Sequence, residues 1–282
     1  MVGKICLITG ASEGIGYCTA LRLARMGSTI VIASKNEQRG LEAKKNIIKE
    51  SKNENVEFLQ VDLASFNSIR KFADNFKAKY NSLDILINNA GVYYSRLTYT
   101  EDKIEMQFAV NHLAPFLVTN QLMDLLQRTE GSRIINVTSR FHFQGRMHFD
   151  DLFLKNNYSG LKAYCQSKLA MVLFTYKLAR KIKDSGTTAN CLHPGTARTR
   201  IGTANSTGFY PLLCRIAKPV LTSAQKASRT SVLLASSPEL NGVNGKYFER
   251  RRAMRSSKAS YNEKDSDLLW EISEELTGIK FL

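Results

Sequence analysis

The sequence predicts a single α/β domain built on a doubly wound parallel sheet of about seven strands flanked by helices. Three observations predict this fold. Short apolar, β-branched runs alternate with longer segments in which apolar residues recur every three or four positions. The runs are apolar almost throughout, which is typical of strands covered on both faces by helices. A glycine-rich loop joins the first run to the first helical segment.

The predicted elements follow one another without an evident linker, so we expect residues 1–282 to form one domain. Besides a strand near 245–248, the apolar runs predict strands over residues 4–9, 28–33, 56–61, 83–88, 132–138 and 187–193. Helical periodicity predicts helices over residues 15–26, 37–51, 66–79, 103–128 and 162–183. The stretch 196–222 is rich in Gly, Thr, Ser and Pro and is a candidate substrate lid, and residues 249–282 form a C-terminal extension.

Composition excludes several classes of protein. Of the 282 residues, 43% are apolar, which is enough for a substantial core. The 5 cysteines form no Cys-x-x-Cys pair, so we expect neither a metal site nor a disulfide framework. No apolar run approaches the ~18 residues of a membrane span, and the chain enters a strand-like segment at once rather than a signal peptide. We therefore expect a cytoplasmic protein, either soluble or peripherally associated with a membrane.

The chain is strongly basic, with 40 Lys and Arg against 25 Asp and Glu and a net charge of +15. Part of the surplus lies in residues 246–258, where basic residues far outnumber the single acid. Three interpretations are open for this segment: a solvated tail, a contact with an anionic membrane surface, or a contact with nucleic acid. Nucleic acid is the least favoured partner, because no nucleic-acid-binding motif accompanies the charge.

The glycine-rich loop, TGASEGIG at residues 9–16, predicts a dinucleotide site. Glycine permits positive φ and lets the backbone approach a pyrophosphate, while the helix that follows offers free N–H groups. A loop of this kind between the first strand and the first helix is typical of the Rossmann-type fold. The candidate cofactor contacts on this turn are Gly10, Ser12, Glu13, Gly14, Ile15 and Gly16.

The end of the second strand indicates which dinucleotide binds. An NAD site usually carries an acid there, which binds the ribose 2′-hydroxyl, but this chain has Ser34 and Lys35. Lys35 suits a 2′-phosphate, so NADP(H) is favoured over NAD(H), although an exposed loop lysine without a role is the other interpretation. Asp62, after the third strand, is a candidate acceptor for the adenine amino group or a helix N-cap, unless Ser65 is that cap.

Glu13 argues in the other direction from Lys35. A carboxylate near a 2′-phosphate is repelled by it, whereas near a 2′-hydroxyl it accepts a hydrogen bond. Glu13 can also point into solvent, or pair with Lys35 until a phosphate displaces it. Which of the two charges faces the 2′ position is left open by the sequence.

A second group of residues predicts acid–base chemistry. Tyr164 and Lys168 are four residues apart on a helical pattern, hence on one face, and a nearby ammonium favours the phenolate. Such a pair alone is weak, since helices carry it by chance. Ser139, however, closes the fifth predicted strand, where a parallel sheet places its ligand. Asn111 lies inside a predicted helix near Pro115, which predicts a local distortion with a function.

These motifs resemble those of the short-chain dehydrogenase/reductase family. They occur in the family's order over almost the whole chain: Thr9-Gly-x-x-x-Gly14-Ile-Gly16, Asn88-Asn-Ala-Gly91, Asn111, Ser139, Tyr164-x-x-x-Lys168 and Pro194-Gly195. Each is individually weak, and their joint occurrence is a strong signal. The long interval between Ser139 and Tyr164 and the segments HPGTARTRIG and AYCQSKLAMVLFTYKLAR resemble the retinol dehydrogenase branch in particular.

The resemblance implies an enzyme that transfers a hydride between nicotinamide and a carbonyl carbon. Tyr164 would exchange the proton, Lys168 would lower its pKa and bind the nicotinamide ribose, and Ser139 would hold the substrate oxygen. Asn111 would hold a water in a proton relay, and Thr199 would contact the carboxamide, unless it is an ordinary loop hydroxyl. Further cofactor contacts implied by the resemblance are Leu63, Asn89, Ala90, Gly91, Pro194 and Gly195.

Two departures from the branch bear on function. Members that use NADP(H) commonly carry arginine after the second strand, whereas Lys35 keeps the charge without the bidentate fork. Membrane-bound members begin with an apolar anchor, which this sequence does not show. We therefore do not expect a membrane-resident retinoid to be the natural substrate. We expect a lipophilic aldehyde, ketone or alcohol, because the insert 140–160 is rich in aromatic residues; ordinary packing is the alternative for Phe141, Phe143, Met147, Phe149 and Phe153.

Two other expectations concern activity and assembly. A catalytically weak relative that binds dinucleotide as a regulator or scaffold is the alternative to an enzyme. The intact set of Ser139, Tyr164, Lys168 and Asn111 argues against it. The resemblance also implies a homodimer, since the family often pairs through its fourth and fifth helices.

Overall fold

The computed structural model describes residues 1–195 and 223–281 and places them in one α/β domain. The candidate lid at 196–222, with Thr199, lies outside the described residues. The described part contains an 8-stranded sheet in the order β3-β2-β1-β4-β5-β6-β7-β8. Its strands are β1 (Ile5–Thr9), β2 (Thr29–Ser34), β3 (Val56–Gln60), β4 (Ile85–Asn88), β5 (Arg133–Val137), β6 (Thr188–His193), β7 (Tyr247–Glu249) and β8 (Arg252–Met254).

Strands β1 to β7 are parallel, which confirms the predicted sheet, including the strand near 245–248. The sequence does not predict β8, which pairs antiparallel with β7. The connection consists of Arg250 and Arg251, whose φ angles are 50° and 67°. Two-residue hairpin turns with positive φ usually carry Asn or Gly, so consecutive arginines give no turn signal.

Helices cover both faces of the sheet. Helices α1, α2 and α8 pack on one face, and α3, α5, α7 and α9 pack on the other. Alternate residues of β1 therefore enter different cores: Leu7 faces one, and Cys6 and Ile8 face the other. The bounds are α1 (Gly14–Arg25), α2 (Glu37–Ser51), α3 (Phe66–Lys79), α4 (Met106–Phe108), α5 (Ala114–Gln121), α6 (Met123–Arg128), α7 (Gly160–Lys181), α8 (Ala224–Ser236) and α9 (Glu263–Thr277).

The helix predicted over 103–128 is not continuous. It begins at Met106 and includes a π-helical turn, Ala109–Leu113, between α4 and α5. Pro115 lies just after this turn and has no N–H, so the carbonyl of Asn111 lacks its α-helical donor. The distortion expected around Asn111 is therefore confirmed, and its form is a π-turn, which is common at functional sites.

The C-terminal extension packs against α7. Lys177 of α7 forms an ion pair of 2.6 Å with Asp267 of α9. The ring of Trp270 lies 5.0 Å from that of Phe116 and 5.9 Å from that of Phe174, between centroids. In the described part of the chain, no helix is both long enough and apolar enough to span a bilayer.

Candidate active site

The carboxyl ends of the parallel strands bring the predicted site residues to one edge of the sheet. The strand order changes direction between β1 and β4, and ligands of such sheets bind in the crevice at this point. Thr9, the last residue of β1, joins the two sides of the crevice. Its hydroxyl oxygen accepts hydrogen bonds from the N–H groups of Asn89 (3.1 Å) and Ala90 (3.2 Å).

The Asn89 side chain completes the connection by donating to the carbonyl oxygens of Thr9 (2.8 Å) and Gly10 (3.1 Å). A Cβ on Gly16 would lie only 2.6 Å from the Asn89 amide nitrogen and 2.5 Å from the carbonyl oxygen of Gly10. Gly10 and Gly14 have φ angles of 65° and 64°, in the left-handed region that favours glycine. All three glycines are thus required by the local geometry, and they form a rigid, side-chain-free cradle.

Glu13 lies at the N-cap position of α1 with extended backbone and an exposed side chain. Its carboxylate does not cap the helix, so it accepts no hydrogen bond from the first N–H groups of α1. Ser12 and Ile15 flank the same turn and are half-buried. The loop therefore presents backbone donors at the start of α1, with one acid at its rim.

Lys35 follows β2 and pairs with Asp62 rather than with Glu13. The distance between the Lys35 ammonium and an Asp62 carboxylate oxygen is 2.7 Å, and this contact raises the pKa of the lysine. The other Asp62 oxygen accepts from the N–H of Ala64 at 3.0 Å. Ser65, not Asp62, is the N-cap of α3, as one of the two interpretations of the sequence expected.

Leu63, beside Asp62, packs partly buried against the core on the α3 face. On the other side of the site, Pro194 and Gly195 directly follow β6, so they lie at the same edge as the glycine cradle. Gly195 has a φ of 99°, which only glycine adopts readily. These placements agree with a dinucleotide that runs along the whole carboxyl edge.

Asn111 uses its side chain to hold the loop after β4. Its amide nitrogen donates to the carbonyl of Val92 (3.0 Å) and to the hydroxyl of Ser167 (3.0 Å). Its amide oxygen accepts from the N–H of Val92 at 2.8 Å. The side chain is fully buried and both of its N–H groups are donated, so the backbone carbonyl, which lacks its α-helical donor, is the acceptor better suited to hold a water.

Tyr164 and Lys168 face the crevice from α7, whose N-cap is Ser159. The Lys168 ammonium lies 5.7 Å from the centroid of the Tyr164 ring. The aromatic rings of Tyr93 and Phe141 stand edge-on to Tyr164, with centroids at 5.8 Å and 5.7 Å. The Tyr164 ring therefore contacts two other aromatic rings and has a cation over its face.

Lys168 is 4% exposed, and burial lowers the pKa of its ammonium from the ordinary 10.5 to about 8. Among the described residues, its hydrogen-bond partner is the carbonyl of Val137, at a long 3.4 Å. A Cβ added to Gly91 would lie 3.2 Å from the ammonium and 3.3 Å from the Asn111 amide oxygen. An ammonium has three donors, so this one has capacity for further acceptors in the crevice.

Ser139 is half-buried, two residues beyond the end of β5, and is the N-cap of a 3₁₀-helix, Arg140–Gln144. Its hydroxyl oxygen accepts a long hydrogen bond, 3.4 Å, from the N–H of Phe141. That contact uses a lone pair and leaves the hydroxyl proton free to be donated. Its carbonyl oxygen is bound by the ring of His142 at 2.6 Å.

The aromatic insert 140–160 divides into two groups. Phe141 contacts Tyr164, as a wall of the expected cleft would. Met147, Phe149 and Phe153 are partly buried and pack against the main core, as the packing alternative expects, while Phe143 is exposed. Aromatic content alone does not distinguish a cleft from a second packing layer, because both bury apolar area.

A family model described as short chain dehydrogenase matches residues 4–208. Human retinol dehydrogenase 13 is 42% identical to this chain over 99% of its residues and 86% of the relative's length. The chain belongs to the short-chain dehydrogenase family. Human polyprenol dehydrogenase, another relative, is 38% identical and covers 98% of this chain and 86% of its own.

Solved structures agree with this short-chain dehydrogenase fold. A protein of unassigned function from Mycobacterium paratuberculosis superposes with a TM-score of 0.80 at 29% identity, over 100% of this chain and 96% of its own. A short chain dehydrogenase from Shigella flexneri 2a, complexed with NADP, superposes at 0.71 with 21% identity, over 89% and 98% of the two chains. The short-chain dehydrogenase described here is therefore an oxidoreductase that acts on alcohols or carbonyls of small molecules with a nicotinamide cofactor.

Asn136 and His142 are not predicted from the sequence as functional, and Thr9 enters the sequence prediction only as part of the glycine-loop motif, without its contacts. Thr9 joins the two loops, Asn136 donates to Thr175 (2.9 Å) beneath them, and His142 binds the Ser139 carbonyl. The Thr9 and Asn136 contacts bridge strands and helices distant in the chain, so no local pattern announces them. His142 is three residues from Ser139, but a lone histidine after a strand carries no specific signal.

Proposed function

We propose that this chain is an NADP(H)-dependent oxidoreductase that interconverts a lipophilic aldehyde or ketone and its alcohol, with Tyr164 as general acid and base. The observation that carries the proposal is the buried Lys168 ammonium, 5.7 Å from the centroid of the Tyr164 ring and next to Gly91 of the crevice. A cation held there without a close partner favours the phenolate over the phenol. This lets tyrosine exchange a proton near neutral pH.

The residues of the crevice fit a nicotinamide dinucleotide. Gly10 and Gly16 of the cradle have no room for a Cβ, Gly14 has a φ of 64°, and the cradle opens onto the N-terminus of α1, which suits a pyrophosphate. Lys168 has donors to spare for ribose hydroxyls. When bound, the nicotinamide supplies or accepts the hydride.

Residues of the chain itself donate, stabilise and return the proton of the reaction. In the reductive direction, Tyr164 donates its proton to the carbonyl oxygen while the hydroxyl of Ser139 donates a hydrogen bond to the same atom. The phenolate that remains is balanced by Lys168. The Asn111 carbonyl, which lacks a donor at Pro115, accepts a hydrogen bond from a water that returns protons from solvent. In the oxidative direction each proton moves the other way.

Lys35 supports the preference for NADP(H) over NAD(H). Its ammonium stands at the end of β2, where the adenosine ribose of a Rossmann-type site lies. Asp62 holds it there in the free chain, and a 2′-phosphate would replace this carboxylate as its partner. By fold-level analogy the Shigella protein that binds NADP points in the same direction.

The surroundings of Tyr164 support a lipophilic substrate. The rings of Tyr93 and Phe141 pack in T-shaped contacts with Tyr164, so a substrate that reaches the phenol meets aromatic surface. Aromatic surfaces bind apolar carbon chains favourably and offer few hydrogen-bond partners to polar carbonyl compounds. A panel of long-chain, aromatic and small polar aldehydes and ketones tests this specificity.

The decisive experiment follows nicotinamide absorbance with that panel for the wild type, Tyr164→Phe and Tyr80→Phe. Tyr80 lies at the C-terminal end of α3 and serves as the matched control. We expect Tyr164→Phe to lose roughly 100-fold to 10,000-fold in kcat, and Tyr80→Phe to retain it. If Tyr164→Phe and the wild type turn over alike, Tyr164 is not the acid–base group. If the wild type binds NADPH but converts no carbonyl or alcohol, the chain is a dinucleotide-binding regulator instead.

A separate proposal concerns the basic segment around β8. Lys246, Arg250, Arg251, Arg252, Arg255 and Lys258 are all exposed on the β7–β8 hairpin and its flanks. Exposed apolar side chains accompany them: Met254 is 55% and Tyr261 52% exposed. We propose that this surface contacts an anionic lipid surface, since cations around apolar side chains are typical of peripheral attachment.

Vesicle co-sedimentation tests the lipid contact. The full chain should pellet with phosphatidylserine vesicles at low salt, and should do so less with Arg250→Glu, Arg251→Glu or with added salt. Phosphatidylcholine vesicles and duplex DNA are the comparison ligands. Equal binding to neutral vesicles, or tighter binding to DNA than to anionic vesicles, contradicts the proposal.

A homodimer stays a prediction. The fourth and fifth predicted helices correspond to α5 and α7, and α9 of the same chain packs Trp270 on Phe116 and Phe174 there. A dimer through these helices must leave α9 in place or displace it. Light scattering of the wild type and of a Trp270→Ala variant tests this; a dimer in both, unaffected by the variant, means that α9 does not govern pairing.

A further inference from the structure

His142 is buried beneath the catalytic serine and joins it to the C-terminal extension. One ring nitrogen, Nδ1, lies 2.6 Å from the carbonyl oxygen of Ser139. The other, Nε2, accepts a hydrogen bond of 3.2 Å from the backbone N–H of Ser257. The side chain is fully buried, and its ring packs on that of Tyr247 with centroids 4.9 Å apart.

These two contacts define the tautomer. A backbone N–H only donates, so Nε2 must carry the lone pair. Nδ1 then carries the proton and donates it to the Ser139 carbonyl, which only accepts. Both ring nitrogens of neutral His142 are thereby satisfied, and no other side chain of similar size offers a donor and an acceptor on opposite sides of one rigid ring.

The hydrogen bond from His142 acts on the backbone that orients the Ser139 hydroxyl. The same carbonyl oxygen also accepts a hydrogen bond of 3.1 Å from the backbone N–H of His142. Residue 142 therefore closes the turn with two hydrogen bonds, one from its backbone and one from its ring. Ser139 is held extended, with φ −149° and ψ 156°, at the N-cap of the 3₁₀-helix. With ψ fixed, rotation about one side-chain bond is the hydroxyl's main remaining freedom.

The rest of the 3₁₀-helix is attached to the same region of the chain. Arg140 forms an ion pair of 3.7 Å with Glu249, at the start of the C-terminal extension. The rings of Phe143 and Tyr247 are 6.4 Å apart, edge to face. Ser139 thus precedes a turn from which three side chains, those of Arg140, His142 and Phe143, contact strand β7 or the extension beyond it.

We propose that His142 is a positioning residue, through which the Ser257 N–H of the C-terminal extension fixes the backbone of Ser139 for catalysis. This inference rests on the proposed function, since it assumes that Ser139 binds the substrate oxygen. His142 itself touches neither substrate nor cofactor. It acts by holding the serine in the geometry at which its hydroxyl meets the reacting oxygen.

Two partial replacements separate the two hydrogen bonds. The side-chain nitrogen of His142→Asn stands near the Nδ1 position and can still donate to Ser139. The amide of His142→Gln reaches the Nε2 position and can still accept from Ser257, but lacks the donor to Ser139. We expect His142→Gln to lose roughly 10-fold to 100-fold in kcat with little change in KM. His142→Asn, which keeps the donor to Ser139 but lacks the acceptor for Ser257, should lose kcat only severalfold. Equal kcat in both variants and the wild type overturns the inference.

Ser257 offers a backbone test from the other side. Its φ of −61° matches that of proline, so Ser257→Pro deletes the N–H with little strain at that residue. Ser257→Ala keeps the N–H and is the matched control. Ser257→Pro should lower kcat severalfold while NADPH affinity, measured by fluorescence, is unchanged; Ser257→Ala should not. If Ser257→Ala lowers kcat as much as Ser257→Pro, the N–H is not the linking group.

Nitrogen-15 NMR supplies a readout independent of activity. The chain has only 4 histidines, so the His142 ring is assignable by its loss in His142→Asn. In the wild type we expect the nitrogen-15 chemical shifts of the His142 ring to be those of the Nδ1–H tautomer, and we expect the same shifts in Ser257→Ala. Shifts typical of the Nε2–H tautomer would overturn the inference. A wild type inactive with every substrate overturns the proposed function and the positioning role together. An active wild type with an equally active His142→Gln overturns the positioning role alone.

Discussion

At the proposed 2′ end of the cofactor site, the Lys35 side chain is 74% exposed and its partner Asp62 is 32% exposed. At the chemistry end, Lys168 is almost completely buried and Asn111 completely so. Both ends therefore use a lysine, but the first meets its partner in water and the second stands in a low-dielectric crevice. Coulombic interactions between exposed groups are screened by water and salt, while those of buried groups are not.

This difference separates two kinds of function. A buried ammonium without a close partner costs folding free energy, and it is kept only where the same field stabilises a charge that develops on Tyr164. An exposed ion pair costs little and is readily exchanged for a phosphate. Removing the buried Lys168 charge should therefore have large and opposed effects on activity and stability, and changes at the 2′ end should have small effects on affinity alone.

The largest expected effect comes from Lys168→Met, which keeps the side-chain length and removes the charge. Without the ammonium, kcat/KM should fall by roughly 100-fold or more. Stability should move the other way: lowering the lysine pKa from 10.5 to about 8 corresponds to about 3 kcal/mol of unfolding free energy. We expect denaturant unfolding at pH 7 to show a more stable variant.

The pH dependence checks the sign of this effect. Because the folded-state pKa is lowered, the unfolded chain binds a proton between about pH 8 and 10.5 that the folded chain has released. Stability from Lys168 therefore rises with pH in that window. The advantage of the Lys168→Met variant over wild type should shrink from pH 8 to 10.5. A constant difference would mean that the ammonium is solvated rather than buried.

Asn111→Leu is expected to have the next largest effect. It removes three hydrogen bonds, two to the backbone of Val92 and one to Ser167, and leaves buried partners unpaired. We expect a loss of about 2 kcal/mol in unfolding free energy, with kcat lowered because Val92 belongs to the loop beside Gly91. Asn75→Leu, on helix α3, is the control. An unchanged melting temperature in Asn111→Leu would show that Val92 finds other partners.

The contrast between the two ends also explains what the sequence predicts. The sheet, the glycine cradle and the distortion at Asn111 follow from apolar runs, glycine and Pro115, all of which act through neighbouring residues. The pairing of Lys35 with Asp62 joins the ends of two strands and is set by the order of strands in the sheet. The sequence alone does not show this order, so it does not distinguish Asp62 from Glu13 as the partner of Lys35. The roles of Asn111 and His142 depend on where Val92 and Ser257 lie after folding.

The same reasoning accounts for the aromatic insert and for β8. The spacing of Met147, Phe149 and Phe153 does not say whether they line a cleft or pack in a second layer; in the folded chain they pack against the main core. Strand β8 follows a turn in which arginines adopt positive φ, against the usual preference. Local preference fails at both places because tertiary contacts override it.

Lys35→Ala and Asp62→Asn are expected to act in opposite directions at the 2′ end. Lys35→Ala should weaken NADPH binding by about fivefold or less, the scale of an exposed ion pair, and leave NADH unchanged. Asp62→Asn should tighten NADPH, because the phosphate no longer competes with a carboxylate for Lys35. Fluorescence titration with both cofactors measures this. If Lys35→Ala weakens NADH as much as NADPH, the lysine does not contact the 2′-phosphate.

Glu13→Arg is expected to have the smallest effect. Glu13 is exposed at the rim of the cradle, so replacing its charge should tighten NADPH only about twofold at ordinary ionic strength. Glu13→Gln, which removes the charge without adding one, should lie between it and the wild type. The gain should vanish in high salt, since screening shortens the reach of exposed charges. An equal increase in NADH affinity, or an increase in NADPH affinity that persists in high salt, would place residue 13 in direct contact with the cofactor. The 2′ end would then be as weakly screened by salt as the buried end.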